Sequence, residues 1–195
     1  KKAATAIAFV LGVYQVYTAV FGIPTVYLHR TIHLGAMLIL CFLLIEPSEK
    51  YRGLAVFQMI LYTLCVAASA AFMIYGVVNY HDIQLRGGTP TQWDKIFCIV
   101  LIFLVFLSTY KRAGPAITVI AAAFMAYLLW GHLLTGSLRH APIGARMIYN
   151  EFYNSTGGIL GSCMGIASTY IIIFIIFGAF LNESGAGDYF NSLAN

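Results

Sequence analysis

The sequence predicts an all-α integral membrane protein of about six transmembrane helices plus an interfacial amphipathic helix. Three observations carry that expectation. Six long apolar runs, roughly 3–22, 31–45, 54–79, 96–110, 115–134 and 159–181, contain no Asp, Glu, Lys or Arg. The 195 residues are 61% hydrophobic and 9% charged, whereas soluble domains carry about 25% charged residues. Every charged residue lies at the ends of these runs or between them.

A stretch of about 20 apolar residues matches a hydrocarbon core of about 30 Å. The first run meets this directly; it is too long for the apolar region of a signal peptide and lacks a small-residue cleavage site after it. The second and fourth runs, 31–45 and 96–110, are shorter. They reach spanning length when the flanks His29–Arg30 and Trp93–Lys95 extend into the headgroup region. The third run, 54–79, is long enough to tilt. Tyr51, Tyr62, Tyr75, Tyr80 and Trp93 include expected interfacial anchors. Between the third and fourth runs, Arg86-Gly87-Gly88-Thr89-Pro90-Thr91-Gln92 predicts a turn, with Thr91 as helix N-cap. Gly114–Pro115 predicts a second break, with Pro115 in the first turn of the next helix. In segment 142–156, Met147, Ile148, Phe152 and Tyr153 recur at steps suited to one helix face. Arg146, Asn150, Glu151 and Asn154 lie between them, and the segment is expected to lie on the membrane surface.

Small residues recur at four-residue spacing: Ala4, Ala8 and Gly12; Ala67 and Ala71; Gly161, Gly165 and Thr169. Such stripes let helix backbones approach in lipid. Leu at Gly161 or Gly165 is therefore expected to destabilise packing. Cys41, Cys65, Cys98 and Cys163 lie in apolar runs with no metal-ligand spacing and are expected as buried free thiols.

Few residues suggest chemistry. His29 and His33, four apart, share a helix face. Interfacial hydrogen bonding is preferred to haem or metal ligation because His29 lies at a span boundary; His81, His132 and His140 also lie at ends or in loops. Gln15 and Gln58, inside spans, are expected to hydrogen-bond between helices, with a cavity-facing role as the alternative. The loop with Glu46, Glu49, Lys50 and Arg52 reads as solvated. Glu183 and Asp188 flank Ser184-Gly185-Ala186-Gly187 without matching a cation-loop motif. No nucleophile–base set, phosphate loop or zincin motif occurs, and no basic stripe points to nucleic acid. No catalytic, cofactor-binding or metal residue is assigned, and no enzyme is expected.

The loops alternate between two sides. Lys1, Lys2, Lys50, Arg52, Lys111 and Arg112 fall on one, and Arg30, Arg86, Lys95, Arg139 and Arg146 on the other. Basic residues in short loops near spans favour the cytoplasm. The first side has the tight loops, so the N-terminus is expected there.

Two stretches resemble a known family. Phe177-Gly178-Ala179-Phe180-Leu181, with Ser184-Gly185-Ala186-Gly187 and the ending Phe190, Leu193 and Ala194, closely resembles the start of the large membrane domain of fused tripartite ATP-independent periplasmic (TRAP) transporters. The entry Arg86 to Asp94, leading through a span to Tyr110-Lys111-Arg112-Ala113-Gly114-Pro115, is similar to the family's link between small and large membrane domains. His29-Arg30 with Ile32-His33-Leu34 resembles its second helix. The resemblance points to the subfamily served by a periplasmic binding protein of the TAXI type. It implies residues 1–112 as the small four-helix domain and 113–195 as the start of the large domain, with the rest of that domain beyond Asn195. It also implies a bacterial inner-membrane permease taking up organic anions, such as dicarboxylates or amino acids, by secondary transport. Coupling sodium ions and moving hairpins would lie on the remainder, and this segment would be static scaffold for an elevator mechanism. Implied partners are the binding protein, the rest of the large domain and the lipid bilayer. The alternatives are a membrane electron-transfer (haem) subunit or a non-transporting assembly subunit.

Overall fold

A computed structural model describes residues 2–46, 52–86 and 88–185. Glu49, Lys50, Tyr51, Gly87 and Asp188 lie outside the described residues, as does the end of the stretch resembling the large domain. The described residues form helices and turns, with no strand among them. The helices are α1 (Lys2–Phe21), α2 (Val26–Leu43), α3 (Arg52–Val78), α4 (Tyr80–Leu85), α5 (Gln92–Arg112) and α6 (Pro115–Trp130), followed by α7 (Ala145–Tyr149), α8 (Ser162–Ile166) and α9 (Ile172–Glu183). A π-helical turn, Asn150–Asn154, extends α7, and another, Ala167–Ile171, joins α8 to α9. Among the described residues, six helical stretches are long and apolar enough to cross a membrane: Lys2–Phe21, Val26–Leu43, Ala55–Val78, Gln92–Arg112, Pro115–Leu133 and Ser162–Glu183. This is the architecture of a multi-pass membrane protein. Large apolar side chains such as Phe9, Val20, Phe124 and Phe174 are exposed on it, a surface suited to lipid rather than water.

Local chemistry sets the boundaries. Gly22, at φ 92°, ends α1; that left-handed conformation suits a residue without a Cβ. Thr25 then caps α2, its hydroxyl accepting from the Leu28 N–H at 3.3 Å. Thr91 caps α5 as expected, and Asp94 completes a capping box by accepting from the Thr91 N–H. Lys111 and Arg112 occupy the last turn of α5, where cations complement the helix dipole. Arg112 also donates to the Cys41 carbonyl at 2.9 Å, tying the ends of α5 and α2 together. Gly114, at φ 94°, precedes Pro115 at the start of α6.

The helix α2 is the centre of the bundle and is buried over more than half its length. It packs on α1, α3, α5 and α8. Its closest approach is to α3, through two reciprocal notches. A Cβ at Gly35 would sit 2.6 Å from Met73 Cβ, and one at Gly76 would sit 2.7 Å from Thr31 Cγ2. Thr31 and Gly35 are four apart on α2 and so face the same neighbour.

The small-residue stripes behave differently from one another. Gly12 faces α9, with a Cβ there 4.0 Å from Ile176 Cδ1. Gly165 lies beneath the Arg30 guanidinium, 2.5 Å from Nη2 if a Cβ were added. Gly161 is not a helix-packing position; it precedes α8 and sits against the carbonyls of Gly157 and Gly158. Ala67 and Ala71 are exposed, so that stripe faces away from the bundle. All four cysteines are free, but only Cys65 and Cys98 are buried; Cys41 is half-buried and Cys163 exposed.

Among the expected anchors, Trp93 is exposed, whereas Tyr62 is core. Tyr75 stacks on Phe97 with ring centroids 4.5 Å apart. In segment 142–156 the helix begins at Ala145 and closes through the π turn. Met147 is exposed, but Tyr153 is fully buried against Phe72 and Tyr75. Its aromatic ring thus contributes to the bundle core rather than to an outer apolar face. Core residues come from both sides of residue 112, since Tyr153 and Leu160 join Tyr27, Phe72 and Leu101 in one cluster.

Candidate functional site

Most of the buried polar side chains gather at one end of the bundle, around the starts of α2, α5 and α8. Two groups form there. The first centres on Asp94, which is fully buried. Its Oδ1 accepts from the Tyr75 hydroxyl at 2.8 Å and from Arg86 Nη2 at 3.4 Å. Its Oδ2 accepts from the Thr91 N–H at 2.8 Å and from Asn154 Nδ2 at 3.4 Å. One carboxylate thus joins α3, the turn after α4, the cap of α5 and the π turn after α7. With four donors around it, one of them the Arg86 cation, the carboxylate's charge is compensated and the group acts as a structural hub. Beside it, the buried hydroxyls of Tyr27, Thr31 and Tyr153 make no well-formed hydrogen bond.

The second group joins α1, α2 and the helix after Gly161. Gln15, buried on α1, donates from Nε2 to His33 Nδ1 at 2.9 Å. The expected role of Gln15 between helices is therefore what the structure contains. His33 is then protonated at Nε2 only, because Nδ1 accepts. His29 Nε2 donates to the Ser168 carbonyl at 3.1 Å, so its Nδ1 is free to accept from the Tyr14 hydroxyl at 3.3 Å. Ser168 lies in the π turn Ala167–Ile171, and such turns displace one backbone carbonyl from the regular ladder. Arg30 Nη1 donates to the Leu160 carbonyl at 2.7 Å. Because α2 begins at Val26, five residues before the apolar run does, His29 and Arg30 sit within the helix and His33 about two turns inside it. Gln58 is half-buried on α3.

Comparison of the chain with protein-family models, with curated proteins and with solved structures finds no match. The candidate site thus stands on its own geometry.

The remaining histidines lie elsewhere. His81 is exposed. Among the described residues, no three His, Cys, Asp or Glu side chains come together. Glu183 is exposed at the end of α9.

His140 fastens the segment after α6. Its Nε2 meets the Tyr127 carbonyl at 3.0 Å and its Nδ1 the Ala141 carbonyl at 2.7 Å. Both carbonyls accept, so only the doubly protonated ring satisfies both, and the Tyr127 and then the Ala141 contact raise the pKa above the ordinary 6.5. A raised folded-state value means that this contribution is complete below the unfolded pKa near 6.5 and is lost as pH rises through the folded one. The expected result is an imidazole that titrates above 6.5 by NMR. The melting-temperature gap between wild type and His140→Gln should be wider at pH 6 than at pH 8. A ring titrating below 6.5 would contradict the arrangement.

Proposed function

We propose that this chain is the fixed membrane part of a cation-coupled secondary transporter of the tripartite, binding-protein-dependent kind. In this reading, residues 1–112 are the small domain and 113–195 the start of the large one. The N-terminus is cytoplasmic in a bacterial inner membrane, and the 135–158 segment faces the periplasm. A TAXI-type binding protein delivers an organic anion such as a dicarboxylate or amino acid. Sodium sites and moving hairpins belong to the remainder of the large domain. The helix at 145–154 rests at the membrane surface with Met147 outward.

One observation carries the scaffold reading. The buried histidines His29 and His33 and the buried carboxylate Asp94 all bond to neighbouring elements of the same chain. Coupling sites use intramembrane ionisable groups that exchange partners during the cycle; these three are engaged in joining helices. The family assignment rests on the resemblance at Phe177–Leu181 and Arg86–Pro115.

The test is uptake by proteoliposomes holding the complete transporter with its purified binding protein. Gln15→Leu removes the bond to His33 and is expected to lower thermal stability while the number of sodium ions per substrate is unchanged. A changed sodium number in a Gln15→Leu protein of wild-type stability would place the coupling site in this part of the chain.

A further inference from the structure

A second, separate feature lies where the 88–90 turn meets α7. There a cleft of about 320 Å³ is lined by Thr89, Pro90, Lys95, Ala145, Arg146 and Tyr149. Arg146 donates from Nε to the Gly88 carbonyl at 3.1 Å, a bond that leaves both terminal nitrogens of the guanidinium for another acceptor. Lys95, half-buried in the first turns of α5, has no carboxylate within ion-pair distance among the described residues, and neither has Arg146. The nearby acids are engaged: Asp94 pairs with Arg86, and Glu151 accepts from Asn150 and Ser155. Two cations of adjacent segments therefore share one small cleft with no counterion among the described residues.

We propose that this cleft binds the phosphate headgroup of an anionic phospholipid. A guanidinium fork and an ammonium together suit a phosphate, and basic pockets between membrane helices take such headgroups. The surroundings favour a lipid over a free anion. Trp93, two residues before Lys95 on α5 and 63% exposed, suits the headgroup level. Ile99 and Phe103, 57% and 55% exposed, continue from Lys95 at four-residue steps, forming an apolar ridge down α5 of about 12 Å. An acyl chain fits that ridge; a free phosphate makes no use of it.

The experiment uses the chain with Trp130→Phe, which leaves Trp93 as its single tryptophan. It is reconstituted in phosphatidylcholine vesicles with either brominated phosphatidylglycerol or brominated phosphatidylcholine. Bromine quenches Trp93 in proportion to local occupancy. Stronger quenching by the anionic lipid is expected. Lys95→Gln and Arg146→Gln should each lower that preference about five-fold, and Lys95→Arg and Arg146→Lys should largely keep it. Arg146→Gln also loses the Gly88 bond, so Lys95→Gln carries the test if the other variant misfolds. Equal quenching by the two lipids overturns the proposal, as does a preference unchanged in Lys95→Gln. Loss of the preference on adding inorganic phosphate at matched ionic strength would assign the cleft to free anions. Weakened docking of the binding protein with lipid preference intact would assign it to a protein contact.

Discussion

Asp94→Ala is expected to lower stability by about 3–5 kcal/mol, the range for removing one partner of a buried ion pair. The low end is favoured because the Arg86 side chain is 27% exposed and can recruit water once its partner is gone. Loss of the carboxylate does more than free Arg86. It strips the Tyr75 hydroxyl and Asn154 amide of an acceptor and breaks the capping box at Thr91, a cap alone being worth about 1 kcal/mol. Asp94→Asn keeps one oxygen and the shape, so its loss should be smaller. Thermal unfolding in detergent measures both. Wild-type stability for Asp94→Ala would show that the four-way junction does not hold these segments together.

The second large effect is expected at the interface of α2 and α3. Gly35→Ala places a methyl 2.6 Å from Met73 Cβ, an atom fixed by the backbone, so the helices must separate. Gly76→Ala places one 2.7 Å from Thr31 Cγ2, on a β-branched side chain with little rotamer freedom. Overpacking of this kind costs about 1–3 kcal/mol, and Leu at either position should cost more. The two sites differ in how they can be relieved. Thr31→Ser deletes Cγ2, so the double variant Thr31→Ser/Gly76→Ala should recover most of the loss, while the same Ser substitution should not rescue Gly35→Ala. A double-mutant cycle measures that coupling. Additive losses for Thr31→Ser and Gly76→Ala would mean that these residues do not touch.

The sequence made the helices legible because lipid imposes length and apolarity on any span. Each apolar run corresponds to a helix, and Thr91, Gly114 and Pro115 mark the boundaries they were expected to mark. What lay hidden depends on partners distant in the chain. Asp94 sits between Trp93 and Lys95, a polar flank that looks solvated; its burial comes from Tyr75, Arg86 and Asn154 converging on it. The one local clue was Thr91-x-x-Asp94, the spacing of a capping box. Gly35 and Gly76 have no glycine four residues away, because their notches receive Thr31 and Met73 from the opposite helix. Conversely, Gly161 and Gly165 have the spacing of a packing stripe, but Gly161 lies before the helix begins. Tyr153 follows the surface-helix pattern, and it is the π turn that brings it among Phe72 and Tyr75. Neither π turn carries a local sequence mark.

The scaffold reading requires that α1 and α9, one from each proposed domain, stay together through a transport cycle. Gly12 and Ile176 meet across that contact, with a Cβ at position 12 lying 4.0 Å from Ile176 Cδ1. The direct measurement is sodium-driven uptake by the complete transporter carrying Gly12→Cys and Ile176→Cys, in a background with Cys41, Cys65, Cys98 and Cys163 replaced. Uptake is compared before and after closure with a short bifunctional thiol reagent. A static scaffold predicts uptake at the same rate once the two helices are linked. Uptake abolished by the link and restored when a cleavable linker is cut would show that α1 and α9 move apart during transport, and would contradict the account.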